Sequence, residues 1–185
     1  MSLKKVAILI SGEGTNAENI IKKLHTKKLE VVKVISNKAD ANGIKRATKL
    51  GIDTVVIESK KFSTREDFDK ELVKQLQKET LDLVILAGFM RILTPVFTDN
   101  IKALNIHPSL LPLFKGSKAI ERSFESDMKV AGVSVHEVTS ELDGGEIIAQ
   151  ECFNKEDLSF CEFEKRIHEI EYELYPKAIC KYLNI

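Results

Sequence analysis

Short β-branched apolar runs alternate along the chain with longer stretches whose apolar residues recur at the helical period. That rhythm marks βα units building a mostly parallel sheet. Strands are predicted at about residues 5–10, 30–36, 54–57, 81–87, 103–107, 130–138 and 147–153. A first helix is expected to start near Thr15 and a second to span about Ala41 to Leu50, closing at Gly51. A third opens at Ser63-Thr64-Arg65-Glu66 and runs to about Glu79. After Asn105 the rhythm changes. The runs at 130–138 and 147–153 are joined through Asp143-Gly144-Gly145, which leaves no room for a crossover helix, so they are expected to pair antiparallel. A last helix, about Ser159 to Leu183, carries Phe160, Phe163, Ile167, Ile170 and Leu174 at helical spacing and is expected to pack on the sheet. The fold class that follows is α/β: a doubly wound, mostly parallel, Rossmann-like sheet of about seven strands with an antiparallel portion near the C-terminal end.

Composition narrows the function classes. A chain of 185 residues with 43% hydrophobic content fits a single core. Its 28 basic and 28 acidic side chains cancel, removing the global field that gathers nucleic acid or anionic membrane, so neither is expected as a partner. The longest apolar runs, such as Leu81 to Gly88 with Asp82 inside it, fall short of a membrane-spanning length, and the amino end lacks a signal-peptide pattern. A cytoplasmic protein is expected. Cys152, Cys161 and Cys180 are an odd number at wide spacings, matching neither a disulfide framework nor paired metal-ligand motifs. They are read as buried or half-buried thiols, and no metal site is expected.

Three segments can carry chemistry. Ser11-Gly12-Glu13-Gly14-Thr15-Asn16-Ala17 lies directly after the first strand and opens the first helix. Such a turn cradles phosphate, because glycines let backbone amides approach and the helix start is partially positive. The glycine spacing also meets the looser dinucleotide fingerprint, but the second strand ends Ser36-Asn37-Lys38 without the acid that would hold a ribose, which argues against a nicotinamide cofactor. In Leu104-Asn105-Ile106-His107-Pro108, the strand period of two puts Asn105 and His107 on one face and Leu104 with Ile106 on the other. Their polarity appears only at the carboxyl end of the strand, the end that faces the ligand crevice in open α/β sheets. The third segment, Glu141-Leu142-Asp143-Gly144-Gly145, can press a carboxylate toward that same edge and partner His107. An amide donor, an imidazole and a carboxylate beside a phosphate cradle suit acyl transfer without a covalent intermediate.

Four motifs now form a set: Ile10-Ser11-Gly12-Glu13-Gly14-Thr15-Asn16, Leu86-Ala87-Gly88-Phe89-Met90-Arg91-Ile92-Leu93, Asn105-Ile106-His107-Pro108-Ser109-Leu110-Leu111-Pro112 and Glu141-Leu142-Asp143-Gly144-Gly145. In order and spacing, from about Val6 to Tyr182, they resemble the folate-dependent formyltransferases of the glycinamide ribonucleotide transformylase family. The resemblance implies transfer of a formyl group from 10-formyltetrahydrofolate, the co-substrate, to the glycyl amine of glycinamide ribonucleotide in purine synthesis. It implies small-molecule partners, no metal, and a monomer or homodimer. It assigns catalysis to Asn105, His107 and Asp143. Gly12, Gly14, Thr15, Asn16 and Pro108 would bind the ribonucleotide, Gly14 to Asn16 at its phosphate, with Glu171 on the ribose hydroxyls. Met90, Arg91, Ile92 and Leu93 would line the pterin pocket with Asn105 and the loop ending at Asp143, and Arg65 would meet the anionic folate tail. Read without the resemblance, Phe89 and Met90 are core residues. One formyltransferase domain over 1–185 is implied, with about 1–100 as the ribonucleotide phosphate half and about 101–185 as the folate-binding and catalytic half.

The match departs at Phe114-Lys115-Gly116-Ser117-Lys118, where the family commonly has Gly-x-His and Lys118 replaces the His. Phe-x-Gly-x-Lys is reminiscent of the related formyltetrahydrofolate deformylases, which pass the formyl group to water and form the alternative reading. Those hydrolases typically carry a further amino-terminal regulatory domain and a His where Pro108 stands. A methionyl-tRNA formyltransferase would need an appended tRNA-binding domain and usually a basic surface. A non-catalytic folate- or nucleotide-binding module would have no need of Asn105, His107 and Asp143 together. His136 is either a site contact or a buried structural residue, and His25 is expected on the surface of the first helix.

Overall fold

A computed structural model describes residues 2–185, so Met1 of the expected domain span lies outside the described residues. The apolar runs form β1 (Lys4–Ile10), β2 (Leu29–Ser36), β3 (Thr54–Val56), β4 (Leu83–Leu86), β5 (Ala103–His107), β6 (Val130–Glu137) and β7 (Ile147–Asn154). They join one sheet ordered β3-β2-β1-β4-β5-β6-β7. The first five are parallel, β6 runs antiparallel to β5, and β7 antiparallel to β6. The antiparallel pairing of β6 with β7 follows from their short connection, as expected. The strand order reverses between β1 and β4, and the carboxyl ends of those strands form the crevice where ligands bind in such sheets.

Six helices cover the sheet: α1 (Thr15–Leu24), α2 (Asn42–Lys49), α3 (Arg65–Leu76), α4 (Pro95–Thr98), α5 (Ala119–Glu125) and α6 (Phe160–Leu183). Alternation along β1 divides the core. Val6, Ile8 and Ile10 pack with α1 and α6, whereas Ala7 and Leu9 pack with α3 and Phe97 of α4. Thr64 caps α3 by accepting the Asp67 N–H at 3.1 Å. Ser159 and Glu162 form a reciprocal capping box at the start of α6. Gly51, at φ 77°, ends the second helical segment as its position implied. The short α4 and α5 escape sequence reading because four and seven residues are too few to show a period. The third helix also stops at Leu76, before the expected Glu79.

On α6, Phe163, Ile167 and Ile170 are buried, each burial contributing about 1.5–3 kcal/mol. Phe160 differs from its expected place: it is 38% exposed and meets the edge of the Phe124 ring at the helix start. The thiols also differ. Cys152 and Cys161 are exposed and only Cys180 is half-buried, because Cys152 lies on edge strand β7 and Cys161 on the solvent side of α6. His25 caps the end of α1, half-buried rather than on the surface, with its Nδ1 accepting the Val31 N–H at 3.0 Å.

Pro176 sits inside α6 and cannot donate to the carbonyl one turn back, that of Tyr172. That carbonyl accepts instead from Asn19 Nδ2 at 2.8 Å and Lys23 Nζ at 3.0 Å, so a break in one helix ties it to α1. One turn from this tie, the buried Tyr175 hydroxyl lies 2.9 Å from the carbonyls of Leu86 and Leu104, anchoring α6 to the end of β4 and the start of β5. No described helix is long and apolar enough to cross a membrane.

Candidate active site

The loop after β1 is built for close backbone approach. Gly14 caps α1 at φ 69°, and a Cβ there would lie 2.6 Å from the Gly43 Cα. No side chain caps this helix start, and the first helical bond runs from the Glu18 N–H to the Gly14 carbonyl at 2.9 Å. The preceding amides of the first turn therefore lie beyond the reach of intrahelical carbonyls. Ser11 locks the loop to its neighbours: its hydroxyl donates to Asn37 Oδ1 at 2.6 Å and accepts the Met90 N–H at 2.7 Å, and its own N–H donates to the Gly88 carbonyl at 3.1 Å. Asn16 donates to the Glu171 carboxylate on α6 at 3.2 Å, joining residues far apart in the chain, while Asn16 Oδ1 is buried without a partner.

Beside this loop a cleft opens between the exits of β4 and β5 and the 139–143 loop. Arg91, Ile92 and Leu93 line one side, Glu141, Leu142 and Asp143 the other, with Asn105 and His136 between. The Arg91 guanidinium stacks 4.9 Å from the Phe68 ring centroid, and its Nε is buried without a partner. Asp69, underneath, accepts the Thr94 N–H and hydroxyl, each at 2.7 Å. Burial pushes its carboxyl up despite those bonds.

Register brings the polar groups together. Antiparallel pairing sets Asn105 opposite His136 and His107 opposite Ser134. Asn105 Nδ2 lies 3.2 Å from His136 Nε2, and His136 Nδ1 lies 2.7 Å from the Glu137 carbonyl. A carbonyl only accepts, so His136 carries its proton on Nδ1, and Nε2 of the neutral ring accepts from the Asn105 amide. Asp143, at φ 48°, takes the Gly116 N–H at 2.8 Å and lies 3.4 Å from His107 Nδ1 and 3.5 Å from His136 Nε2. Burial pushes its carboxyl up, but the contacts with His136 and the Gly116 N–H, together with the neighbouring His107 ring, outweigh that and hold it below the usual carboxylate range. His107 Nε2 lies 3.0 Å from the Phe114 carbonyl, so a ring donating at both nitrogens satisfies Phe114 and Asp143 together.

The structure thus collects Asn105, His107 and Asp143, and adds His136, which the sequence left open. Its signal was the alternation of Gly132, Ser134 and His136 on β6, which needs the register with β5 to acquire meaning. His107 is 5% exposed and stands behind Asp143, outside the cleft lining. Gly12, Gly14, Thr15 and Asn16 form the loop that meets Glu171, and Pro108 follows His107 half-buried. Two expected folate residues are not in the lining. Met90 is neither core nor cleft: its side chain is 77% exposed, because its backbone N–H is turned inward to Ser11, while Phe89 is buried against Phe68. Arg65 is exposed at the start of α3. Lys118 is also exposed, at φ 55°, preceding α5. Among the described residues no group of three or more His, Cys, Asp or Glu is placed to hold a metal ion.

A doubly wound sheet with a cleft over the carboxyl ends of β4 and β5, lined by an amide, an imidazole and a carboxylate, is the architecture of an α/β enzyme. The chain belongs to the formyl transferase family, whose pattern matches residues 4–179. It is 42% identical over 184 residues to a phosphoribosylglycinamide formyltransferase of Haemophilus influenzae, covering 96% of this chain and 86% of that protein. It is 42% identical over 180 residues to the trifunctional purine biosynthetic protein adenosine-3 of Gallus gallus, covering 95% of this chain but 18% of that protein. The crystal structure of the phosphoribosylglycinamide formyltransferase from Campylobacter jejuni superposes with a TM-score of 0.96 at 56% identity, covering 98% of each chain.

Proposed function

We propose that this enzyme transfers a formyl group from 10-formyltetrahydrofolate to the glycyl amine of glycinamide ribonucleotide, a step of purine biosynthesis. The relatives' activity supports it. The observation that carries it is the contact of Asn105, His136 and Asp143 in the lining of the cleft, with His107 bonded to Asp143 behind it.

In this reading the ribonucleotide phosphate takes the free amides of Gly14 to Asn16, where backbone donors and the helix dipole favour an anion. The ribose diol donates to Glu171, and Pro108 borders the glycyl arm. The pterin enters the cleft between Arg91, Ile92, Leu93 and the loop ending at Asp143, with its tail running toward Arg65. The glycyl amine attacks the formyl carbon, forming a C–N bond and a tetrahedral centre. Asn105 Nδ2 has a second hydrogen free of His136 and donates it to the oxyanion. His107, braced as a double donor by Phe114 and Asp143, supplies positive charge beside it. The amine proton passes to the departing folate nitrogen through His107 or an Asp143-held water as the old C–N bond breaks.

The expected division of halves is blurred in this reading: about residues 1–100 carry the phosphate loop but also Arg91, Ile92 and Leu93 of the pterin cleft, while about 101–185 carry the catalytic residues and also Glu171 of the ribose site. The same reading makes the enzyme cytoplasmic, a monomer or homodimer acting on small molecules. The test is an absorbance assay for release of the deformylated folate with and without glycinamide ribonucleotide. Release only with the ribonucleotide is expected. Equal release without it would make the protein a hydrolase, and none in either would leave a binding module.

A further inference from the structure

Outside the cleft, a buried carboxylate has an ionic partner that the chemistry above does not use. Glu171 lies on the α6 turn facing the start of α1, with its side chain 7% exposed. Both its bonds land on Oε2: His168 Nδ1 at 2.8 Å and Asn16 Nδ2 at 3.2 Å. Among the described residues Oε1 accepts nothing. Oε1 at the edge of the Gly14 loop is thus an acceptor for a ribose hydroxyl, which donates.

We propose that His168 is a positioning residue for ribonucleotide binding: its imidazolium braces Glu171 through Oε2 so that Oε1 stays oriented for the ribose, and affinity weakens when His168 loses its second proton. This rests on the ribose reading of Glu171 given above. His168 is 45% exposed, so solvent protons reach it while the carboxylate it serves is sheltered. Its ring stacks on Tyr172, which limits how far it swings from Glu171.

The charges around it are few. On α6 itself they are Glu171 and Glu164. From α1, the helix packed there, the neighbours are the uncharged Asn16 amide and the Lys23 ammonium, which is tied to Glu173 and to the Tyr172 carbonyl. His168 is thus the one cation bonded to Glu171 among the described residues. The bond to Glu171 pushes the imidazole up from its ordinary value, against an opposing effect of burial, so the imidazolium is held to higher pH than a free imidazole would be and is lost as pH rises. A neutral ring can keep Nδ1–H as donor, so the bond survives without its charge assistance and the response is graded. With the pair half in solvent, a change of about three- to fivefold in KM is expected.

The experiment measures kcat and KM for glycinamide ribonucleotide from mildly acidic to alkaline pH in wild type, His168→Ala, His168→Lys and Glu171→Gln. The substrate phosphate titrates in the same window in every case, so the readout is the ratio of variant to wild-type KM. For His168→Ala that ratio is expected at about three to five in acid and to fall toward one in alkali, with kcat unchanged. His168→Lys, whose charge does not titrate there, keeps a low KM at high pH. A His168→Ala ratio of one throughout, or one that ignores pH, overturns the proposal, as does failure of Lys to restore the KM. Glu171→Gln separates the two readings. A raised KM there with an unaffected His168→Ala sinks the His168 role alone, and an unchanged KM there sinks the ribose reading and this proposal with it.

Discussion

Replacing Asn105 with Asp isolates the donor that the transfer step requires, since it turns one NH2 into oxygen and preserves the shape of the side chain. In the wild type, the Glu137 carbonyl 2.7 Å from His136 Nδ1 fixes that ring's proton, which makes Nε2, 3.2 Å from the Asn105 amide, an acceptor. The amide must then be oriented with Nδ2 toward His136, leaving one N–H for the cleft. Aspartate has no N–H to give. Loss of one oxyanion donor costs about 2.7–4 kcal/mol at the transition state, about a hundred- to a thousandfold in kcat. The new carboxylate also faces a lone pair on His136 and adds negative charge near Asp143, a folding cost of about 1–3 kcal/mol that urea unfolding will register separately. KM for either substrate should move by less than about fivefold, because the formyl oxygen carries its full charge only in the transition state. The assay is steady-state turnover at saturating concentrations of both substrates, on protein shown to be folded. A kcat within about tenfold of wild type, or a loss confined to KM, would refute Asn105 as the oxyanion donor.

Gly14→Ala should raise KM for the ribonucleotide by about tenfold or more and leave kcat nearly intact, because the residue sits at φ 69° and its Cβ would press on the Gly43 backbone at 2.6 Å. An unchanged KM would remove the loop from the phosphate site. Tyr175→Phe keeps the ring and withdraws a buried hydroxyl from two carbonyls at 2.9 Å, so unfolding free energy should fall by about 2 kcal/mol and Tm by about 4–8 °C. A change below about 0.5 kcal/mol would mean the hydroxyl does not anchor α6. The Asp143 carboxyl is held below its ordinary value in the folded protein, so its contribution to stability is present above the unfolded-state value and is lost as pH falls through the folded one. The stability gap between wild type and Asp143→Asn should therefore be widest at neutral pH and shrink into acid. A gap that stays constant across that range would contradict the depressed value.

What the chain determines locally was legible in it. Periods of two and of about 3.6 residues depend only on neighbours in sequence, so all seven strands, the capped starts of α3 and α6 and the inward face of β5 could be read before any packing was known. The glycine loop and the Asn105–His107 pair were visible for the same reason, since each is a short segment whose geometry follows from its own residues. Relations between distant segments were not. His136 joins the site because the β5–β6 register sets it opposite Asn105, and a shift of one residue would have turned it to the other face. Asn16 and Glu171 meet only because α6 lies on α1, fastened there by the carbonyl that Pro176 frees. Met90 reads as apolar and inward, yet Ser11 captures its backbone N–H and turns the side chain out. Hydrophobic period reports which way a side chain faces within an element. Tertiary packing decides which polar groups then come within hydrogen-bond reach, and here that includes the second imidazole and the cation beside Glu171.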